Sequence, residues 1–536
     1  MKKWAAFLAI VMLGGAIFSA PQTQLISDDE NLTVFEVRWD EPKFVPVSGD
    51  TVRIILDGCG PRGEDGAPQL VGRAFNIAVP RDSRVSVRID EVQWSEWMGY
   101  VPAPMPEKWS ERGTFTPEKY SHPAGGGIKI AYDQIWRGVR VVGVDIVPIE
   151  YSPGKGIRYM KSAVVSVEHP GSAPIYDLHH YHPVMGQFYR ATLVNPEAAI
   201  PKRTFSYSEW SPDSGAELLV ITNSTFYEHA QPWIDWKLLM GMPTIVALTD
   251  TIGTSVEDIR NFVYNAYHNW DIAPLYLLII GDTEQIPTYT DYTYVIDDQY
   301  YCLVDGDDIF PDILPGRISV DNNNQLDVFV AKLLNYEATP DTIDRWYLRG
   351  IGVVRRDDCD YLGPVDSSYL AAVNYAMEAC SAAGFYSTPV FVNCEGVEGI
   401  EAYFDEGANL VTFRGQAVLD WWEPFGGLTT RPSGKHLPIY VSITCATGIY
   451  HMDGYPCEYV TRAGTVDNPR GGVAWIGQGR CTWYSLERSS LSKNIFAGWF
   501  EAKLQAIEAA HQYGRAVMYS EFGGSNEARI EYQSSE

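Results

Sequence analysis

Leu275-Tyr276-Leu277-Leu278-Ile279-Ile280-Gly281-Asp282 is a short, nearly unbroken apolar run that stops at a glycine turn. A run of that length bounded by glycine predicts a strand buried on both faces, the kind found in parallel sheets. Upstream of it the same rhythm alternates with helical stretches: strands at 218–221 and 244–248, helices at 226–239 and 255–270. Downstream, past a helix at 325–337, a second series follows. It has strands at 351–354, 389–392, 410–413, 439–444 and 472–476, with helices at 368–383, 397–406 and 491–512. Strand-helix alternation of this sort predicts two α/β halves with mainly parallel sheets. From about residue 24 to 203 the pattern is different. Alternating runs such as Thr51-Val52-Arg53-Ile54-Ile55-Leu56 and Arg84-Val85-Ser86-Val87-Arg88-Ile89, broken by Pro and Gly clusters, predict an all-β N-terminal domain, a sandwich.

These changes of rhythm divide the chain into 1–20, 21–205, 213–345 and 346–525. The boundary near residue 200 is polar and irregular, and its dibasic Lys202-Arg203 reads either as a processing site or as two solvated charges in a loop. At the N-terminus, Met1-Lys2-Lys3 precedes an apolar run from Trp4 to Phe18 and the small residues Ser19-Ala20. That is the layout of a secretory signal, so export to the periplasm, cell surface or medium is expected, with an uncleaved anchor as the alternative. No later segment is long and apolar enough to span a membrane.

The chain has 536 residues, 46% hydrophobic, with 16 Trp, 33 Tyr and 20 Phe, which predicts large packed cores rather than disorder. Its 68 acidic against 41 basic residues give a net charge of -27, which repels phosphate backbones and argues against a nucleic-acid partner. Eight cysteines without a CxxC pair or zinc-module spacing make a disulfide framework or a structural zinc site a poor description.

In open α/β sheets the chemistry sits beyond the carboxyl ends of the strands. Two such ends stand out. In Ile439-Tyr440-Val441-Ser442-Ile443-Thr444-Cys445-Ala446-Thr447-Gly448 a cysteine closes a buried strand, and in Leu410-Val411-Thr412-Phe413-Arg414-Gly415-Gln416-Ala417 a strand runs into a glycine turn. A cysteine in the first place is either an inert core residue or a nucleophile.

The stretch from Leu275 to Pro287, with its Gly281-Asp282 and Ile286-Pro287 turn, resembles the gingipain family of cysteine peptidases. Asp298-Gln299-Tyr300-Tyr301, Asp305-Gly306-Asp307-Asp308, Gly316-Arg317-Ile318-Ser319 and Tyr336-Glu337 continue that likeness in order, over about residues 215 to 518. The resemblance implies a caspase-like fold preceded by a propeptide-like β domain, and a Cys-His dyad at the ends of two adjacent parallel strands. Carried over by position, Cys445 is the nucleophile, and the backbone N–H groups of Ala417 and Cys445 form the oxyanion hole. The family histidine position holds Gln416, and an orienting acid is expected at Asp358 or its neighbour Asp357.

A glutamine has no proton to exchange near neutral pH, so the general acid–base contribution of roughly 10²- to 10⁴-fold is lost unless another group supplies it. In sequence His451 and His436 are the histidines closest to Cys445. Two functions follow as expectations: an exported cysteine endopeptidase acting on polypeptides through a Cys445 thiolate, impaired by Gln416, or a pseudopeptidase that binds a protein partner. No cofactor is required by either. Relatives bind calcium, and Asp305, Asp307, Asp308 and Asp312 form an acidic run of hard oxygen donors, though a solvated acidic loop reads equally well. His180 and His182 would share a face if they lay on a strand and could then hold a metal. Trp421-Trp422 would line the cleft or pack in the core.

Overall fold

The structure is a computed structural model and describes residues 21–106, 113–202, 210–290, 296–416, 418–420 and 422–535. The signal segment 1–20, Arg203 of the dibasic pair, Ala417 and Trp421 lie outside the described residues.

The N-terminal part is built from antiparallel ladders. Strand Gly156–Glu168 is central to one sheet, pairing with Leu32–Arg38 and with Ser86–Trp94. Ile128–Trp136, Val139–Ile146 and Leu70–Val79 pair in sequence to make the second. Alternation turns Phe35, Val37, Ile77, Val144, Val165 and Val167 inward, and these fully buried residues from both sheets form one core, as a sandwich requires. Two helices, Pro183–Thr192 and Pro196–Ala199, close this segment and are the departure from an all-β domain. The histidine run lies just before the first of them, in a turn rather than on a strand. His182 caps the helix, accepting from the Val184 N–H, while His180 stacks on Tyr267 and uses both ring nitrogens on Asp177 and the Tyr267 carbonyl. The two imidazoles therefore share no ligand face.

The C-terminal part carries two parallel sheets. The first has the strand order Thr244–Leu248, Leu218–Thr222, Tyr276–Ile280, Leu314–Ile318. The second runs Val390–Val392, Gly350–Arg355, Leu410–Gly415, Ile439–Ser442, Ala474–Gly477. Helices cover them, and two show the local chemistry that fixes a start. Ser255 makes a capping box with Asp258 ahead of Val256–Asn269, and Asn322 caps Asn323–Glu337. The helix expected over 491–512 is two helices, Ser485–Phe500 and Ile507–Glu521, folded back on each other. Residues 499–506 are good helix formers, so local propensity does not break this helix; packing does. Gly498 lies against the Ala510 backbone, where an added Cβ would sit 3.0 Å from the Ala510 carbonyl oxygen, and Gly514 lies as close to Ile495. Absent side chains at both crossing points let the two helices approach closely.

The β domain and the α/β part share a continuous core. Trp136 stacks on Phe310 at 4.3 Å between ring centroids, and Tyr132 packs on Tyr519 and bonds Asn76. Arg137, at the tip of the hairpin 128–146, is buried and donates to the carbonyls of Ala273, Pro274 and Asp312 at 2.7–3.1 Å. These acceptors precede strands Tyr276–Ile280 and Leu314–Ile318, so the β domain seats on the amino ends of the first sheet.

Candidate active site

Strands Leu410–Gly415 and Ile439–Ser442 are parallel neighbours, with Phe413 opposite Ser442. Carrying that register forward brings Gln416 and Cys445 to the same level at the carboxyl edge, and the Thr444 hydroxyl ties the two tips by donating to the Gly415 carbonyl. After Cys445 the chain turns sharply. Ala446 takes φ of 59°, a left-handed conformation unusual for a residue with a Cβ, and its N–H donates to the Arg480 carbonyl at 3.1 Å. The turn lies so close to strand Ala474–Gly477 that a Cβ on Gly448 would meet the Gly477 backbone at 2.9 Å. This partly buried sulfur is therefore presented by an elbow rather than sealed in the core.

Two cations stand behind the sulfur. The Arg488 guanidinium, 3% exposed, donates to Cys445 Sγ at 3.1 Å, to Glu531 at 2.8 Å and to the Arg480 carbonyl at 2.9 Å. Arg414 is also buried, bonded to Ser489 and to the Ile443 and Ser485 carbonyls, and lies over the Tyr369 ring. Burial lowers the Arg414 pKa to about 10, which leaves it charged at neutral pH. Two guanidinium groups face one carboxylate, Glu531, and a thiolate at Cys445 completes the charge balance. Accordingly the Cys445 thiol is lowered from its ordinary 9.0 to about 5. A hydrogen bond with the Cys481 thiol contributes most and the charges of Arg488 and Arg414 add to it, against the opposing cost of burial.

Gln416 is exposed beside this sulfur and bonded to an acid. With its nitrogen turned toward Asp357, its amide donates to both carboxylate oxygens, at 3.0 and 3.2 Å; the reverse orientation would set oxygen against oxygen. Of the two aspartates expected near this position, Asp357 is the one that meets Gln416. Asp358 instead turns into its own loop and accepts from the N–H groups of Asp360 and Tyr361. That loop is held by buried Asp366, which accepts from the Asp357 and Asp358 N–H groups, and by a disulfide between Cys359 and Cys394. Arg355 donates to the Gln416 carbonyl at 3.0 Å and lies over the exposed Trp422 ring, so that indole borders the cleft.

Neither sequence-adjacent histidine takes the place of a base. His436 stacks on Trp346, bonds Asp341 and packs against Gly407, at the amino ends of the strands. His451 packs edge-on to Tyr450 and feels the charge of Asp282. The acidic run is likewise engaged. Asp312 accepts from the backbone N–H groups of Arg137, Val304 and Asp305, Asp308 from those of Ile135 and Phe310, and Asp305 pairs with Arg81. A different trio, Asp282, Asp321 and Asp453, converges closely enough for a cation, but the Arg462 guanidinium already pairs with all three. Arg488, Arg414 and Cys481 had no signal in the sequence, because nothing in a helical Glu487-Arg488-Ser489 says that its arginine meets a cysteine forty residues away.

Two parallel α/β sheets, with a cysteine at a strand tip and a β domain before them, have the architecture of a caspase-like fold. The family model for peptidase family C25 matches residues 211–534, and the chain belongs to that family. It is 23% identical to gingipain R2 of Porphyromonas gingivalis over 518 residues, covering 89% of this chain and 68% of that protein. It is 22% identical to Lys-gingipain W83 of the same organism over 418 residues, covering 70% of this chain but only 23% of that relative. Among solved structures, the Arg-specific cysteine proteinase gingipain R superposes with a TM-score of 0.53 at 17% identity, over 62% of this chain and 78% of that one. The complex of the RgpB pro- and mature domains from P. gingivalis gives the same TM-score at 18% identity, over 59% and 77%. At such identity the superpositions speak for the fold.

Proposed function

We propose that this chain is an exported cysteine endopeptidase that attacks polypeptide carbonyls with the Cys445 thiolate, and that it is slow on amides because of Gln416. The observation that carries this reading is the Arg488 guanidinium on Cys445 Sγ at 3.1 Å, with Arg414 behind it. In a Cys-His dyad the imidazole has two duties: to generate the thiolate, and to protonate the departing amine. Here the hydrogen bond from the Cys481 thiol and the charges of the two arginines take over the first. For the second, the Gln416 amide, held by Asp357, can donate a hydrogen bond but cannot release a proton. Attack and thioester formation should therefore proceed where the leaving group departs without protonation. The Cys445 and Ala417 N–H groups are the donors assigned to the oxyanion.

The test compares leaving groups. Cys445 should label with a peptidyl acyloxymethyl ketone and turn over activated esters, while matched amides lag. Gln416→His should raise amide turnover by about 10²-fold and ester turnover much less. A folded Gln416→His variant with no gain on amides would remove the dyad assignment. The alternative is a pseudopeptidase that uses the cleft to hold a polypeptide, and the Gln416–Asp357 bond favours it. That reading wins if peptides bind but Cys445 forms no acyl-enzyme even from an activated ester.

A further inference from the structure

Cys445 does not stand alone. The segment 480–482 runs along the elbow: the Arg480 carbonyl accepts from the Ala446 N–H at 3.1 Å, and the Thr482 carbonyl lies 3.8 Å from Cys445 Sγ. Arg488 holds the Arg480 carbonyl at 2.9 Å and buried Glu531 accepts from the Thr482 hydroxyl, so this segment is positioned from behind as well. Between Arg480 and Thr482 lies Cys481, exposed, with its thiol in hydrogen-bonding contact with the Cys445 sulfur and not joined to another cysteine. The site therefore holds a second thiol within reach of the first.

We propose that Cys445 and Cys481 form a two-electron redox site, in which a hydroperoxide oxidises Cys445 and Cys481 resolves the product as a disulfide. The Cys445 thiolate attacks the terminal peroxide oxygen; an S–O bond forms, the O–O bond breaks, and the departing alkoxide or hydroxide takes a proton from solvent. The Cys481 sulfur then attacks the Cys445 sulfenic acid. An S–S bond forms, the S–O bond breaks, and hydroxide leaves as water with the Cys481 proton. The pair has lost two electrons and the hydroperoxide has gained them. A small dithiol returns both thiols by exchange. The division of labour follows from the surroundings: the hydrogen bond from the Cys481 thiol and the charges of Arg488 and Arg414 favour the Cys445 thiolate, while the adjoining negative sulfur pushes the Cys481 thiol up and keeps its proton in place. The segment 478–484 lies between strand Ala474–Gly477 and helix Ser485–Phe500, outside regular structure, so the sulfurs can close without breaking a helix or sheet. The disulfide would silence the nucleophile of the proposed peptidase reversibly, where further oxidation would do so permanently.

The test reads thiol chemistry and not hydrolysis, so it stands whether or not the peptidase reading holds. Full-length protein is treated with stoichiometric hydrogen peroxide, alkylated and digested with trypsin. The peptides bearing Cys445 and Cys481 are expected as one linked species, separated again by dithiothreitol. In Cys481→Ser the link is lost, dimedone traps a sulfenic acid at Cys445, and prolonged exposure yields sulfinic acid that dithiothreitol does not recover. Wild-type Cys445 passing to sulfinic acid while Cys481 stays a free thiol would overturn the proposal, and so would equal dithiothreitol recovery in Cys481→Ser.

Discussion

At the scale of single residues, the chemistry turns on which groups flank the Cys445 sulfur. An imidazole both ionises a thiol and moves protons; a buried guanidinium does only the first, because it keeps its proton throughout the accessible pH range. The pH dependence follows with its sign. With the Cys445 thiol lowered to about 5, the thiolate is present above that pH and disappears as pH falls through it. Iodoacetamide alkylation of Cys445 should therefore hold its rate from neutral pH down to about 5, where an ordinary thiol would already have slowed near 9. Arg488→Lys keeps a charge but loses the fork that spans Sγ, Glu531 and the Arg480 carbonyl, and should move that midpoint upward by about 1–2 units. Removing the arginine alone would strand Glu531, a buried carboxylate, at a cost of roughly 3–5 kcal/mol. The paired change Arg488→Met with Glu531→Gln avoids that cost and should raise the midpoint without unfolding the protein, as thermal denaturation would check.

At the scale of elements, the site depends on two parallel strands whose tips are held level and on an elbow that projects the sulfur. Gly448 is what lets the elbow lie on strand Ala474–Gly477, since a Cβ there would meet backbone, which cannot swing aside. Gly448→Ala should cost about 1–3 kcal/mol in denaturant unfolding and slow Cys445 labelling by displacing the sulfur. The second element that matters is the loop 356–363, which carries Asp357 to Gln416. It is held by the Asp366 carboxylate and by the Cys359–Cys394 disulfide, two constraints on one short segment. Asp366→Asn should loosen Asp357 and leave Cys445 ionisation nearly unchanged, because Asp366 does not touch the arginines behind the sulfur.

At the scale of the whole molecule, the β domain is bound by a shared core and by Arg137 plugged into the amino ends of the first sheet. Among the described residues, the partners of Cys445 named above, Arg414, Cys481, Thr482 and Arg488, come from the α/β part. Two results are expected. Limited cleavage at the polar linker near Lys202 should leave both pieces co-eluting in size-exclusion chromatography under native conditions, and parting only in denaturant. Cys445 of the uncleaved chain should label as fast as that of the cleaved one, because Arg137 seats on the amino ends of the first sheet whereas the sulfur lies at the carboxyl edge of the second. Arg137→Ala would leave several buried carbonyls without a donor and should lower stability by at least about 2 kcal/mol.

The sequence by itself determined the class of fold and that a cysteine and a glutamine close two of its strands. Strand periodicity and the glycine that ends a buried strand are local signals, and the family likeness placed Cys445 and Gln416 at strand ends from single motifs. Packing decided the rest. The break between helices Ser485–Phe500 and Ile507–Glu521 follows from contact between Gly498 and Ala510, and the choice of Asp357 over Asp358 follows from the path of one loop. The ionisation of Cys445 by Arg488, Arg414 and Cys481 is also tertiary, since these residues lie 31–43 positions from it in the chain and meet it only when the sheet and its covering helix assemble. An electrostatic field is a sum over distances in space, and those distances do not exist until the chain has folded.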